Sequence, residues 1–434
     1  MSGGASRPVT VPPGERIASL DFIRGIAVMG ILFANIAAFG QPMSAAFYPG
    51  AFLSPAAAGD EWLWLAQLVL IDGKMRGLFT LLFGAGLVLF IERAWARGAG
   101  AGLQLRRLFW LLIFGLAHYV LLWRGDILTS YAIAGAVALL FARWEARELL
   151  VLGIVAYVVG AMLTAWTYGY PEMVIASQGF PELRDALLQA RDAALANDMT
   201  EAAIIRSGAY LAFVGSNLGK LPGEFGGSMF MAMLETVPLI LIGMGLYRAG
   251  FFRGAVKDGK LLAFSSAGLL LGGGATLLLG LRAVEGGLTY FGSFSAIAGA
   301  TMLPRLPMIL GLAGLLLLLS GQARGWAGEG IRAAGQAAFT NYIGTSFVML
   351  WLFHGFGLGL FGELNRAQLY GVALAAALLM PVWSRAWLNR FRYGPLEWLW
   401  RCLTYGKLFP LRQSMLANTN QASSVPQVNS GQDQ

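Results

Sequence analysis

The 434-residue sequence predicts an all-α fold, a polytopic bundle of about ten transmembrane helices with both termini cytoplasmic. Three observations predict it. Hydrophobic residues make up 57% of the chain and charged residues only 12%, with a mean hydropathy of +0.63, against roughly 25% charged residues in a soluble domain. Apolar runs of about 20 residues recur along the chain, each long enough to cross roughly 30 Å of hydrocarbon at about 1.5 Å per residue. The basic residues gather between those runs, as positive-inside loops require. A β-barrel would show short alternating segments instead, and 58 glycines suit membrane helices that approach closely. The same pattern explains the net charge of +8 without nucleic acid. Cys402 is the only cysteine, which excludes an internal disulfide or a thiolate metal cluster, and two histidines leave little for a His-based metal site.

Residues 1–16, with Gly, Ser and three prolines, read as a flexible tail. The first helix spans 17–39, with Asp21 and Arg24 one turn apart near its start, and reads as an uncleaved span. Residues 61–93 are apolar around a polar break, Asp72-Gly73-Lys74-Met75-Arg76. At 33 residues this stretch is too long for one simple span, so 61–71 is expected as a kinked or interfacial piece and 77–92 as the main part of helix 2. Helices 3 and 4 are expected at 107–123 and 127–142, and helix 5 at 148–168. Residues 171–227 are more polar and hold Pro171, Pro181 and Pro222. They predict an extramembrane loop with one or two helices, one starting at Pro181 and another at an Asp198-Met199-Thr200-Glu201 capping box. Helices 6 to 10 follow at 229–247, 261–281, 302–320, 335–357 and 367–388. Residues 17–412 thus form a single membrane domain, and the Ser/Gln/Asn-rich 413–434 is expected to be a disordered tail. With the N-terminus inside, 21 of the 31 basic residues fall on the inner side, which predicts a multi-pass protein with both termini inside. No internal repeat is visible.

The chemistry concentrates where helices 3 and 4 meet. His118, Arg124 and Asp126 lie within nine residues between two apolar runs. An imidazole beside a carboxylate can act as a general base on a hydroxyl or amine, so His118 is the candidate base and Asp126 the group that orients it. The plainer alternatives are a histidine bonded across a helix seam and an Asp that caps helix 4. Asp72 and Lys74 fall at the same outer face, and Glu235 lies about two turns below it in helix 6. Ionisable groups at this depth usually face the bundle interior. Helix 9 carries Thr340, Asn341, Tyr342, Thr345 and Ser346 within two turns, either as cavity lining or as an interhelical seam. His354 at its outer end fits interfacial packing. Asn35 in helix 1 needs a polar partner. Arg24, Asn35, Asp72, Lys74, Glu235, Asn341 and Tyr342 are therefore the candidate substrate-binding groups, and His118, Asp126, Asp72 and Asn341 are expected around one cavity. No spacing matches a metal, P-loop or dinucleotide motif.

Four stretches carry a resemblance. They are Leu20-Asp21-Phe22-Ile23-Arg24-Gly25 through Gly30-Ile31 and Asn35; Lys74 through Leu78-Phe79 to Leu82-Phe83-Gly84-Ala85-Gly86; His118 through Gly125-Asp126-Ile127-Leu128 and Tyr131-Ala132; and Thr340-Asn341-Tyr342 with Ser346, followed by Tyr393-Gly394-Pro395-Leu396-Glu397-Trp398-Leu399-Trp400-Arg401. Together they resemble the YeiB family of bacterial membrane proteins, which carry a domain of unknown function of the DUF418 type. More remotely, Asp21-Phe22-Ile23-Arg24-Gly25 is similar to the start of helix 1 in the transmembrane acyltransferases, including the acyltransferase-3 proteins and the heparan-α-glucosaminide N-acetyltransferases. That resemblance implies transfer of an acyl group from cytoplasmic acyl-CoA, as donor substrate and with no bound cofactor, to a glycan or lipid acceptor across the bilayer. Lys74 or Arg24 would hold the anionic part of the donor, with Asn35 and Asn341 as polar lining. Neither known catalytic histidine is carried over: Asn35 stands in the neighbourhood of one, and Asp60 and Glu61 lie in the segment that holds the other. His118 would be a different solution. Two other classes stay open. One is a transporter or permease using Glu235, Asp72 and His118. The other is a non-catalytic scaffold or sensor docking a partner at the aromatic segment around Trp398.

Overall fold

Sixteen α-helices, and no strand beyond a single bridge between Phe391 and Arg412, make up the described residues of a computed structural model covering 17–177 and 179–413. The tails expected at 1–16 and, beyond Gln413, at 413–434 lie outside the described residues. The chain opens with α1 (Ala18–Gly40), then α2 (Asp60–Leu70) and α3 (Lys74–Trp95). Between these two, Gly73 adopts φ +73°, and a Cβ there would lie 2.2 Å from the Arg305 guanidinium, so the polar break is a turn that only glycine fills easily. Helices α4 (Gly102–Leu121) and α5 (Leu128–Ala138) form a tight hairpin, with α5 prolonged by a 3₁₀ turn at Leu139–Phe141.

Helix α6 (Ala146–Ala176) starts from a Glu145/Glu148 capping box and passes straight through Pro171. The loop expected from 171 therefore begins later, because Ser177 N–H still bonds back to Met173. Next come α7 (Pro181–Ser207) and α8 (Tyr210–Gly223). The helix start expected at Asp198 is also corrected: Asp198 lies inside α7, and its carboxylate accepts the Ser44 N–H (3.0 Å) instead of capping anything. A wide turn at Glu224–Ser228 leads to α9 (Met229–Arg248). Then follow α10 (Asp258–Glu285), α11 (Tyr290–Phe294), α12 (Met302–Gln322), α13 (Gly325–Gln336), α14 (Ala338–Phe353), α15 (Arg366–Leu388) and α16 (Pro395–Tyr405). The single helix expected at 335–357 is thus two helices broken at Ala337, the second ending at Phe353.

Seven of these segments are long and apolar enough to cross a membrane: α1, α2–α3, α6, α8–α9, α10, α12 and α15. The shorter apolar α5 and α14, together with α4, pack among them. Bare leucines on α10 (Leu270, Leu271, Leu278) and α15 (Leu378, Leu379) form an exposed apolar coat, which a bilayer would cover. The chain has the architecture of a multi-pass membrane protein. Small residues set its tightest crossings. A Cβ on Gly84 would lie 2.2 Å from the Ile240 carbonyl, and one on Gly243 2.0 Å from that of Leu81, so α3 and α9 touch backbone to backbone. Two ends can be distinguished. The loop end carries residues 41–59, α7, α8 and α11. The basic end carries residues 96–101, 249–257 and α16.

Candidate functional site

Asp126 sits in the α4–α5 turn and uses both carboxylate oxygens. Thr129 N–H donates to Oδ2 (2.7 Å), which caps the start of α5, and His118 Nδ1 bonds Oδ1 (2.9 Å). Asp126 thus caps α5 and holds the His118 ring at the same time. Since a carboxylate only accepts, the proton is assigned to Nδ1, leaving the Nε2 lone pair to face the Ser346 hydroxyl at 2.8 Å. The His118 and Asp126 side chains are 0% and 1% exposed. Close packing holds the turn in place. Gly115 leaves room for it, since a Cβ there would lie 2.5 Å from Thr129 N. Trp123 stacks on Phe39 at 4.2 Å. The Tyr342 hydroxyl accepts from Ile127 N–H (3.2 Å) and donates to the Gly125 carbonyl (3.4 Å), pinning the turn to α14.

Two cavities approach this centre from opposite ends. One, of about 220 Å³, opens among Arg24, Arg107, Glu397 and Trp400 at the basic end and reaches Tyr131, Ile127 and Tyr342. Its Arg107 is sandwiched between Phe90 (4.7 Å) and Trp400 (4.4 Å), and Arg24 pairs with Asp21 (3.0 Å). The other, of about 460 Å³ at the loop end, is lined by Asn35, Asp72, Arg76, Glu235, Arg305 and again Ile127. A narrow gap between α1 and α14, lined by Ser346, borders the first at Tyr342 and the second at Asn35. A cavity of about 150 Å³ lies beside Asp126 against Arg124 and Glu224.

The expectation of one cavity ringed by His118, Asp126, Asp72 and Asn341 is not met. Asp72 lines the loop-end cavity, Asp126 the smaller one, and His118 and Asn341 neither. Asn341 closes a seam: its amide donates to the Ala334 carbonyl and the Ser384 hydroxyl (both 3.0 Å), and Trp383 N–H donates to its Oδ1 (2.7 Å). Lys74 is likewise withdrawn. It is 1% exposed and donates to the Leu68 carbonyl, so it tightens the α2–α3 turn and does not face a donor. Asp72 accepts from the Gln67 amide (2.9 Å). Glu235, whose cation partner the sequence left unidentified, pairs with two, Arg76 and Arg305 (Nη1 to Oε1, 2.9 Å). Arg24, Asn35 and Tyr342 do line cavities. His354 packs edge-on against Phe213 at 4.6 Å, and burial pulls its imidazole down to about 4. Among the described residues, no group of three or more His, Cys, Asp or Glu gathers to hold a metal.

Sequence reasoning missed Ser346 as the partner of His118, along with Arg107 and Arg305. An arginine inside an expected span was a usable signal for Arg305. Ser346 stands out only as one of five polar residues on its helix, and it lies 228 residues from the histidine it meets.

A family model described as a protein of unknown function (DUF418) matches residues 246–407, which include Ser346 but not His118 or Asp126. The chain is 31% identical over 406 residues to the uncharacterized protein YxaH of Bacillus subtilis (strain 168), covering 90% of this chain and 94% of that one. It is 30% identical over 400 residues to the uncharacterized protein YeiB of Escherichia coli (strain K12), covering 90% and 96%. An uncharacterized 39.9 kDa protein in the amylase 3′ region of Bacillus acidopullulyticus is 26% identical over 412 residues, covering 92% and 96%. No solved structure matches. Similarity over nearly the full length of YxaH and YeiB, with the family match across α10 to α16, shows that the chain belongs to the YeiB/DUF418 family.

Proposed function

We propose that the chain is an integral acyltransferase of the bacterial cytoplasmic membrane, moving an acyl group from cytoplasmic acyl-CoA to a glycan or lipid acceptor in the envelope. The observation that carries this reading is the Asp126–His118 pair, buried between two cavities that approach it from opposite ends of the bundle. With Asp126 fixing Nδ1–H, the Nε2 lone pair is oriented to take a proton from a hydroxyl. The basic-end cavity has apolar walls at Leu82, Phe83 and Leu111 for an acyl chain, and Arg24 and Arg107 at its mouth for the donor phosphates. The loop-end cavity offers Asn35, Arg76 and Arg305 to a polar acceptor. In this orientation both termini are cytoplasmic, and α7 lies outside.

Acyl-CoA binding to detergent-purified protein tests the reading. The expected result is saturable binding competed by free CoA and weakened about tenfold or more in the Arg24→Ala/Arg107→Ala double variant, because each charge-assisted phosphate contact contributes about 1.5–3 kcal/mol. A monodisperse protein that binds no acyl-CoA would overturn it. The two opposed cavities and the pairing of buried Glu235 with Arg76 and Arg305 also favour a second reading, a transporter with Glu235 as its coupling acid. Substrate uptake into proteoliposomes with no acyl transfer would select it.

A further inference from the structure

We infer that Ser346 is the acyl-accepting nucleophile and that transfer proceeds through an acyl ester on its Oγ. The inference rests on the acyl-transfer reading above. Its basis is a continuous relay: Asp126 Oδ1 to His118 Nδ1 at 2.9 Å, and His118 Nε2 to Ser346 Oγ at 2.8 Å. This is the nucleophile–base–orienter arrangement that activates a hydroxyl. A serine inside a helix ordinarily satisfies itself on the carbonyl four residues back. The neighbouring Thr345 does so, donating to Asn341 O at 2.6 Å. The Ser346 hydroxyl also reaches the Tyr342 carbonyl, at 3.3 Å, but it lies half an ångström nearer the imidazole.

Position supports the same role. The gap lined by Ser346 shares Ile31 and Asn35 with the loop-end cavity and Tyr342 with the basic-end cavity, so it borders both. His118 lines neither cavity, and its free lone pair is occupied by Ser346. Direct attack would need donor and acceptor at the imidazole together. A seryl ester lets each approach from its own cavity in turn. Access from the donor side requires the buried Tyr342 ring to swing aside, which breaks its hydroxyl's bonds of 3.2 and 3.4 Å to the α4–α5 turn and its packing on the His118 ring at 5.1 Å.

The steps balance. Ser346 Oγ attacks the thioester carbonyl carbon while its proton passes to His118 Nε2. The C–S bond breaks, and the CoA sulfur leaves as the free thiol with that proton. The acceptor hydroxyl then attacks the seryl ester, gives its proton to Nε2, and that proton returns to Ser346 Oγ as the ester C–O bond breaks. Thioester and alcohol become ester and thiol, with no change of oxidation state.

The test is to incubate the purified full chain, without acceptor, with acetyl-CoA or palmitoyl-CoA radiolabelled in the acyl group, and separately with p-nitrophenyl acetate, a small activated ester that needs no CoA site. The expected result is label that survives denaturation and maps to the peptide holding Ser346. It should be absent in Ser346→Ala, shifted to a hydroxylamine-sensitive thioester in Ser346→Cys, and slowed about a hundredfold or more in His118→Ala. Labelling by p-nitrophenyl acetate alone at Ser346 supports the nucleophile even where CoA does not bind. Acyl-CoA binding with no label at Ser346 overturns this inference and leaves the acyl-transfer reading standing. Neither binding nor label overturns both. Because wild type supplies the deciding label, poor folding of a variant does not blunt the result.

Discussion

At the scale of single residues, Glu235 shows what a buried charge requires. Its carboxylate faces two guanidinium groups, one of them, Arg305, only 3% exposed and with its Nε unbonded. Glu235→Gln leaves Arg305 as an uncompensated cation inside the bundle, at a cost of about 3–5 kcal/mol. Thermal unfolding in detergent should show a clear drop in Tm, and Arg305→Met added to Glu235→Gln should restore part of it. An unchanged Tm for the single variant would mean that the cluster is solvated. The sequence identifies residues of this kind well, because a lone acid in an apolar run must have a partner. It does not name the partner. Asn341 and Lys74 stand out for the same reason as Arg24 and Asn35, yet the first two close seams and turns while the others line cavities. Periodicity gives the face of a helix, and the neighbour on that face comes from elsewhere in the chain.

At the scale of helices, the break between α13 and α14 depends on a residue outside both. Glu397, at the start of α16, accepts from Phe339 N–H (2.7 Å), Thr340 N–H (3.1 Å) and the Thr340 hydroxyl (2.5 Å), while Leu396 N–H donates to that same hydroxyl (3.0 Å). The first turn of α14 is thus capped in trans. Glu397→Ala should cost about 1–2 kcal/mol, the usual cost of a lost cap, and Glu397→Gln, which keeps one acceptor, should cost less. Paired Tm measurements check the order, and equal losses would rule out the cap as the cause. Most helix positions were legible to within a few residues, because a bilayer demands long apolar runs. The exceptions have local causes. Pro171 reads as a stop but lies inside α6, and residues 335–357 read as one helix because the cap that divides them is 57 residues downstream.

At the scale of the molecule, the crowding of basic residues at one end makes orientation testable. The single cysteine is buried, so a Cys402→Ser background offers a quiet reference for labelling. Ala96→Cys, exposed at the basic end, should react with an impermeant maleimide only in inside-out vesicles, and Ala203→Cys on α7 only in intact spheroplasts. The reverse pattern would invert the topology and with it the assignment of donor and acceptor cavities. The overall class was the most legible feature, since composition alone excludes a soluble core. The opposed cavities and the meeting of α4 with α14 were the least legible, since both arise from tertiary packing. The cap on α14 also has a consequence for how the protein is made. At about 5–20 residues per second, a ribosome delivers Glu397 several seconds after Thr340. During that interval α14, which carries Tyr342 and Ser346, has no partner for its leading N–H groups. A nascent chain halted before α16 would contain the helices that carry His118 and Ser346 and still lack the seat for the first turn of α14, so the centre can settle only once α16 has been made.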